Sequence, residues 1–308
     1  MKGSPGRRRA VAVLSLLGAT LFWAGNYVVG AGAVQSIDPL SLVFLRWLLA
    51  LVPLVVIAQL VERPSWRSVL AAWPWLLSLG VLGLLGYNLL LYFALEHTDA
   101  FNASLINAFN PALITLAAAV FLRERLTPLA VAGVLLALTG VLIVISGGNI
   151  GRLVAAGFGT GEVLMVGAIV VWTAYTITGR LAPKIPPITA TAVQAAVVVA
   201  ILGPVRFATG GLALPPTGAA LASLLFIAIF PSVLSYLLWN RALTVLPAAG
   251  AGVFLNLITV FTAILTVLAG QVHTTAQLVG GAVVIAGVVV TNAPAFRRQR
   301  RTGALPGA

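Results

Sequence analysis

Ten apolar stretches follow one another along this chain, each near the length of a helix that crosses a bilayer, with short polar breaks between them. They run 10–34, 40–61, 71–94, 100–122, 126–146, 160–181, 187–208, 217–240, 246–269 and 275–293. A helix rises 1.5 Å per residue, so about 20 residues span the roughly 30 Å hydrocarbon core. The runs are continuously apolar rather than alternating, which disfavours the strands of a membrane barrel. Only 8% of residues are charged, against roughly 25% in a soluble domain, too few to clothe a globule in water. The expected fold is an all-α polytopic membrane protein of ten transmembrane helices.

The distribution of charge supplies an orientation. With the N-terminus placed inside, one side holds Lys2, Arg7, Arg8, Arg9, Arg63, Arg67, Arg123, Arg125, Arg180, Lys184, Arg241, Arg297, Arg298, Arg300 and Arg301, and the other only Arg152 and Arg206. Arg46 falls inside a span. This bias predicts that both termini are cytoplasmic. It also accounts for the net charge of +12 without nucleic acid, since no basic face interleaved with aromatics is present. The run Arg7-Arg8-Arg9 followed by Ala31-Gly32-Ala33 imitates a signal peptide, but the apolar run between them is too long for one. The chain has no cysteine, and its two histidines, His97 and His273, stand apart at helix ends. Disulfides and thiolate chemistry are therefore excluded, and neither a metal site nor any cofactor is expected.

The two halves repeat each other. Gly18, Ala19, Trp23 and Gly30 recur as Gly167, Ala168, Trp172 and Gly179, an offset of 149. Pro39 matches Pro187 and Ala94-Leu95 matches Ala242-Leu243 at 148, and Gly133 and Gly140 match Gly280 and Gly287 at 147. Five spans per copy is odd, so the second copy enters the membrane from the opposite face. Inverted repeats of this kind mark transporters, with the solute held between the halves near the midplane. The expected organisation is a cytoplasmic tail at 1–9, a first five-helix repeat at 10–146, a periplasmic linker at 147–159, a second repeat at 160–293 and a cytoplasmic tail at 294–308.

The five-plus-five layout, LFWAGNYVV in the first span, Asn110-Pro111 in the fourth and FLRERLTPLAVAGVLLALTGVLIV across the fourth and fifth resemble the drug/metabolite transporter superfamily. Within it the chain is similar to EamA-type carriers, and among those to YddG-like amino-acid exporters. The resemblance covers roughly residues 10–293. It implies export of small organic metabolites across a bacterial inner membrane. The second half departs from the pattern: Gln271 stands opposite Glu124, and Thr259 opposite Pro111.

Polar side chains are costly in lipid, so each should face a cavity, a neighbouring helix or an interface. Trp23, Asn26, Tyr27 and Gly30 share one face of the first span, and Trp172, Tyr175, Thr176 and Gly179 the equivalent face of the sixth. These two faces are candidate pocket walls, or else helix-packing surfaces. Ser104, Asn107, Pro111 and Thr115 form a stripe on the fourth span. Pro111 and Pro231 cannot donate to the carbonyls four residues earlier, Asn107 and Ile227, which makes both prolines candidate hinges. Tyr87, Asn88 and Tyr92 in the third span, Ser232, Ser235, Tyr236 and Trp239 in the eighth, and Asn256 in the ninth complete the polar inventory.

Arg46 lies roughly 10 Å inside the second span. It could attract a substrate carboxylate, but outward snorkelling or pairing with Asp38, Glu96 or Asp99 is the favoured expectation. The six acids, Asp38, Glu62, Glu96, Asp99, Glu124 and Glu162, all fall in loops or at span ends. The candidate substrate-binding residues are therefore Trp23, Asn26, Tyr27, Arg46, Tyr87, Asn88, Tyr92, Asn107, Trp172, Tyr175, Tyr236, Trp239 and Asn256.

The expected function is a non-enzymatic carrier of neutral or aromatic amino acids by facilitated alternating access, a monomer with a small-molecule substrate and the bilayer as its partners. A proton-coupled antiporter is the alternative within the class, with Glu96 and His97 as the weak point for a downhill carrier. An intramembrane enzyme is the alternative outside it, disfavoured by the absence of Gly-x-Ser-x-Gly and of clustered carboxylates. A sugar-phosphate antiporter would need several basic residues in the pocket, and a channel would need a ring of charge or a filter-like glycine run.

Overall fold

The computed structural model describes residues 5–149, 158–209, 211–212, 214–246 and 251–302. The first residues of the N-terminal tail, most of the 147–159 linker with Arg152, and residues 303–308 lie outside the described residues. Among those described there are helices and no strand. Eight helices are long and apolar enough to cross a membrane: α1 (Gly6–Ala33), α2 (Pro39–Glu62), α3 (Trp73–Leu95), α4 (Ala100–Phe121), α5 (Pro128–Ile145), α6 (Thr160–Leu181), α7 (Pro187–Ala208) and α8 (Gly218–Leu243). Two shorter apolar helices follow, α9 (Phe254–Leu268) and α10 (Thr275–Thr291). These ten elements match the ten apolar stretches of the sequence.

Helix starts are set by local chemistry. Asp38 and Asp99 accept from the backbone N–H of Ser41 and Asn102, and Thr127 and Thr217 from Ala130 and Ala220. Each satisfies an N–H that the first turn leaves unbonded. Proline follows the cap directly at Pro39 and Pro128, where its missing N–H costs nothing.

Repeat-equivalent helices pack against each other in opposite directions. Helices α2 and α7 are clamped at both ends. At one end the Glu62 carboxylate accepts from Ile188 N (2.9 Å), Thr189 N (2.7 Å) and Thr189 Oγ1 (2.7 Å), capping the start of α7. At the other end Asp38 lies 3.5 Å from Arg206 in the last turn of α7. Helices α5 and α10 approach backbone to backbone through the matched glycines. A Cβ on Gly140 would stand 2.5 Å from Val284 N and 2.7 Å from Gly280 O, and one on Gly287 would stand 2.7 Å from Gly133 O. Small residues permit this approach where lipid supplies no hydrophobic drive to associate.

The third and fourth helices of each repeat are irregular at matching places. A π-helical segment spans Gly80–Gly86 in α3, and another spans Phe230–Leu234 in α8. Shifted by 148, the first covers 228–234 and overlaps the second. Helix α4 breaks at Ala108 and Phe109 between Ala100–Asn107 and Asn110–Phe121. Its counterpart α9 passes from a 3₁₀ turn, Val253–Asn256, into α-helix at Leu257, and positions 108 and 109 map to 256 and 257. The break corrects the expected polar stripe on the fourth span. Ser104 and Thr115 lie on separate helical segments and spend their hydroxyls locally, on Phe101 O and Pro111 O.

Candidate functional site

Arg46 is the centre of the polar interior. It is 3% exposed, and the expected snorkelling or pairing with a span-end acid does not occur. Nε donates to Ser232 Oγ at 3.0 Å and Nη2 to the same oxygen at 2.7 Å. Nη1 donates to Asn88 Oδ1 and Tyr92 Oη, both at 2.7 Å, with Asn26 Oδ1 at 3.4 Å. The guanidinium also stands over the Trp47 and Tyr92 rings, 4.9 and 5.7 Å from their centroids, within cation–π range.

The acceptors are themselves anchored. Tyr92 Oη donates to Asn26 Oδ1 at 2.7 Å. Asn88 Nδ2 donates to Leu84 O at 2.7 Å, and Ser232 Oγ to Ile227 O at 2.7 Å. Leu84 lies in the π-segment of α3, and Ile227 is the carbonyl that Pro231 cannot reach. The two irregular helices thus supply the carbonyls that orient two of the side chains holding Arg46.

No acid neutralises this charge. All six acids lie among the described residues, and each is accounted for elsewhere. Asp38 pairs with Arg206, Glu124 with Arg180 and Glu62 with the start of α7. Asp99 accepts from Asn102 and Gln277, Glu162 accepts from Thr98, and Glu96 is exposed. A buried, unpaired cation carries a desolvation penalty of several kcal/mol. A guanidinium has five N–H donors, and the bonds above leave one Nη2 donor unused.

Aromatic side chains flank the arginine on two sides. On α1 and α8, Trp23 packs 5.8 Å from Tyr236 and 5.5 Å from Trp239, and its Nε1 donates to Pro231 O. Trp47 lies 6.3 Å from Tyr236. On α3 and α6, Tyr87 packs 4.8 Å from Trp172, which packs 4.9 Å from Tyr175. Tyr27 Oη and Tyr87 Oη are 2.9 Å apart, and Tyr87 Oη donates to Asn107 Oδ1 at 3.3 Å. The two aromatic groups join around Arg46 through neighbouring residues: Asn26 and Asn88, which accept from it, adjoin the bonded pair Tyr27 and Tyr87. Gly83 admits Tyr175: a Cβ there would stand 2.5 Å from its ring.

Twelve of the sequence-derived binding residues therefore converge. Asn256 is buried with its carbonyl oxygen unpartnered and has no hydrogen bond to the others. Pro231 lies inside the π-segment of α8, and Pro111 opens the second segment of α4. Three participants are absent from the sequence-derived binding set: Ser232, Trp47 and Gln194. Gln194 and Tyr175 meet the α3 π-segment at Gly80 and Gly83, and the 148-residue offset makes Gln194 the repeat partner of Arg46, so the repeat carried the signal. No group of His, Asp and Glu able to hold a metal occurs among the described residues.

This arrangement has one buried positive pole, a surround of aromatic rings, and walls drawn from both repeats. It fits an organic anion or zwitterion with an apolar body. The pattern of the EamA-like transporter family matches residues 10–146 and 159–293. An uncharacterized transporter, YyaM of Bacillus subtilis, is 28% identical over 91% of this chain and 92% of its own length. A probable terminal-alkyne amino-acid exporter of Streptantibioticus cattleyicolor is 29% identical over 96% of this chain and 98% of its own. The aromatic amino acid exporter YddG of Ancylobacter novellus is 28% identical over 58% of this chain and 61% of its own. A multi-pass helical membrane protein with a twice-matched family pattern over nearly its whole length, this chain belongs to the EamA-like transporter family.

Proposed function

We propose that this transporter exports small amino acids with neutral or aromatic side chains across a bacterial inner membrane, both termini being cytoplasmic, by downhill alternating access. The carrying observation is Arg46: buried, held only by neutral acceptors, with no counter-charge and one unused donor beside aromatic rings. A substrate carboxylate supplies the missing negative charge and accepts the spare N–H. The rings of Trp23, Tyr87, Trp172, Tyr175, Tyr236 and Trp239 suit an apolar or aromatic side chain. The outward direction rests on the exporters among the relatives. The orientation rests on the charge bias of the loops. Downhill transport rests on the acids, which all sit at span ends away from Arg46, itself unable to deprotonate.

Proteoliposomes carrying labelled phenylalanine test the reading. Equilibrating flux is expected, cut at least about tenfold in Arg46→Gln, the scale of one charge-assisted hydrogen bond. Undiminished flux in that variant removes Arg46 from the site. Accumulation against a gradient driven by an imposed pH difference, and abolished by Glu96→Gln, replaces the downhill reading with proton coupling.

A further inference from the structure

Arg46 has a repeat partner that breaks the symmetry of charge. Pro39 and Pro187 open α2 and α7 at equivalent positions, so Arg46 corresponds to Gln194. Asn26, which accepts from Arg46, corresponds at the first-helix offset of 149 to Tyr175, whose ring lies at Gly83 on the α3 segment that Gln194 meets at Gly80. The two halves therefore place a polar head in the same register on α2 and α7. One head is a cation with a spare donor. The other is a neutral amide, 3% exposed, whose Oε1 has no hydrogen-bond partner. A buried carbonyl left unpaired costs roughly 1–3 kcal/mol, which a bound donor relieves.

We propose that Gln194 Oε1 is the acceptor pole of the site and takes an N–H of the substrate's amino group while Arg46 takes the carboxylate. This rests on the assignment of Arg46 to the carboxylate. The two poles are linked through α3: Gln194 meets it at Gly80 and Tyr175 at Gly83, and Tyr175 packs through Trp172 to Tyr87, beside the Asn88 that holds Arg46. The charge pattern agrees. With no acid inside the spans, an ammonium must be met by neutral oxygen and by aromatic faces, and Trp172 and Tyr175 pack 4.9 Å apart, Tyr175 against the same α3 segment as Gln194. The substrate class is then an α-amino acid rather than a plain carboxylic acid. The pseudo-twofold that relates the repeats sets its polarity, with the carboxylate towards α2 and the amine towards α7.

Binding of three probes to the purified full chain separates the poles: L-phenylalanine, 3-phenylpropionate, which lacks the amine, and phenethylamine, which lacks the carboxylate. Wild type is expected to bind phenylalanine at least about tenfold more tightly than either analogue, the scale of one hydrogen bond to a charged group. In Gln194→Leu and Gln194→Met, phenylalanine should weaken to the level of 3-phenylpropionate while 3-phenylpropionate itself is unchanged. Gln194→Glu, which keeps the acceptor, should retain phenylalanine. In Arg46→Gln the loss should fall on phenylalanine and 3-phenylpropionate and spare phenethylamine. The proposal is overturned if the Gln194 variants weaken phenylalanine and 3-phenylpropionate equally, or neither. If Arg46→Gln leaves both carboxylates bound as before, the carboxylate assignment fails, whatever Gln194 does. Absence of binding by wild type overturns both.

Discussion

The seam between α5 and α10 and the irregular helix α3 put glycine to opposite uses. Between α5 and α10, Gly133, Gly140, Gly280 and Gly287 remove side chains so that two regular helices touch along their backbones. In α3, glycines at 80, 83 and 86 sit within a π-helical segment, and the space beside Gly83 is filled by the Tyr175 ring. The first arrangement leaves no slack in a close-packed seam. The second leaves carbonyls looking for donors, which Asn88 and, in α8, Ser232 supply. Regular seams hold a shape, whereas π-turns and breaks are where a helix bends or presents polar atoms. The α5–α10 seam and the region around Arg46 are thus built from different backbone states of equally apolar sequence.

The contrast breaks most visibly at Gly140. Gly140→Leu places side-chain atoms against the backbone of Val284 and Gly280, which cannot yield as a flexible side chain would. A loss of about 3 kcal/mol or more is expected, read as a melting temperature roughly 10 °C lower or as failure to leave a size-exclusion column monodisperse. Near-normal melting would show that α5 and α10 are less tightly seated than the glycines imply. Pro231→Ala probes the other side. It returns an N–H to compete for Ile227 O, now held by Ser232 Oγ, and so loosens the grip on Arg46. Transport should slow several-fold while melting stays within about 1 kcal/mol of wild type. Unchanged transport would separate the π-segment from function. The smallest effect belongs to Glu62→Gln, which removes the charged cap on α7 but not the α2–α7 packing. A loss of about 1 kcal/mol is expected, with transport retained. A collapse of transport there would make the clamp part of the moving machinery.

The aromatic members of the site were legible because apolar spans make every polar or amphipathic side chain conspicuous, and helical spacing grouped them. The setting of Arg46 is not legible for a specific reason: its acceptors are not the charged groups at the span ends but the neutral atoms of Asn26, Asn88, Tyr92 and Ser232, between 20 and 186 residues away. Periodicity within one helix says nothing about which face of another helix it meets. The π-segment of α3 carries no proline, so nothing local announces it. That of α8 was partly visible through Pro231.

By itself the sequence determined the solvent, the number and length of the apolar helices and the existence of a repeated half, because those follow from composition, rise per residue and an offset that can be counted. It also held the pairing of Arg46 with Gln194, since that requires only the same offset. Only the tertiary structure decided that the arginine is buried without a counter-ion and that the glutamine's oxygen is left open. Both depend on distances between side chains from different helices. Hydrogen bonding acts over about 3 Å, a scale that sequence spacing cannot resolve once the chain has crossed the membrane and returned.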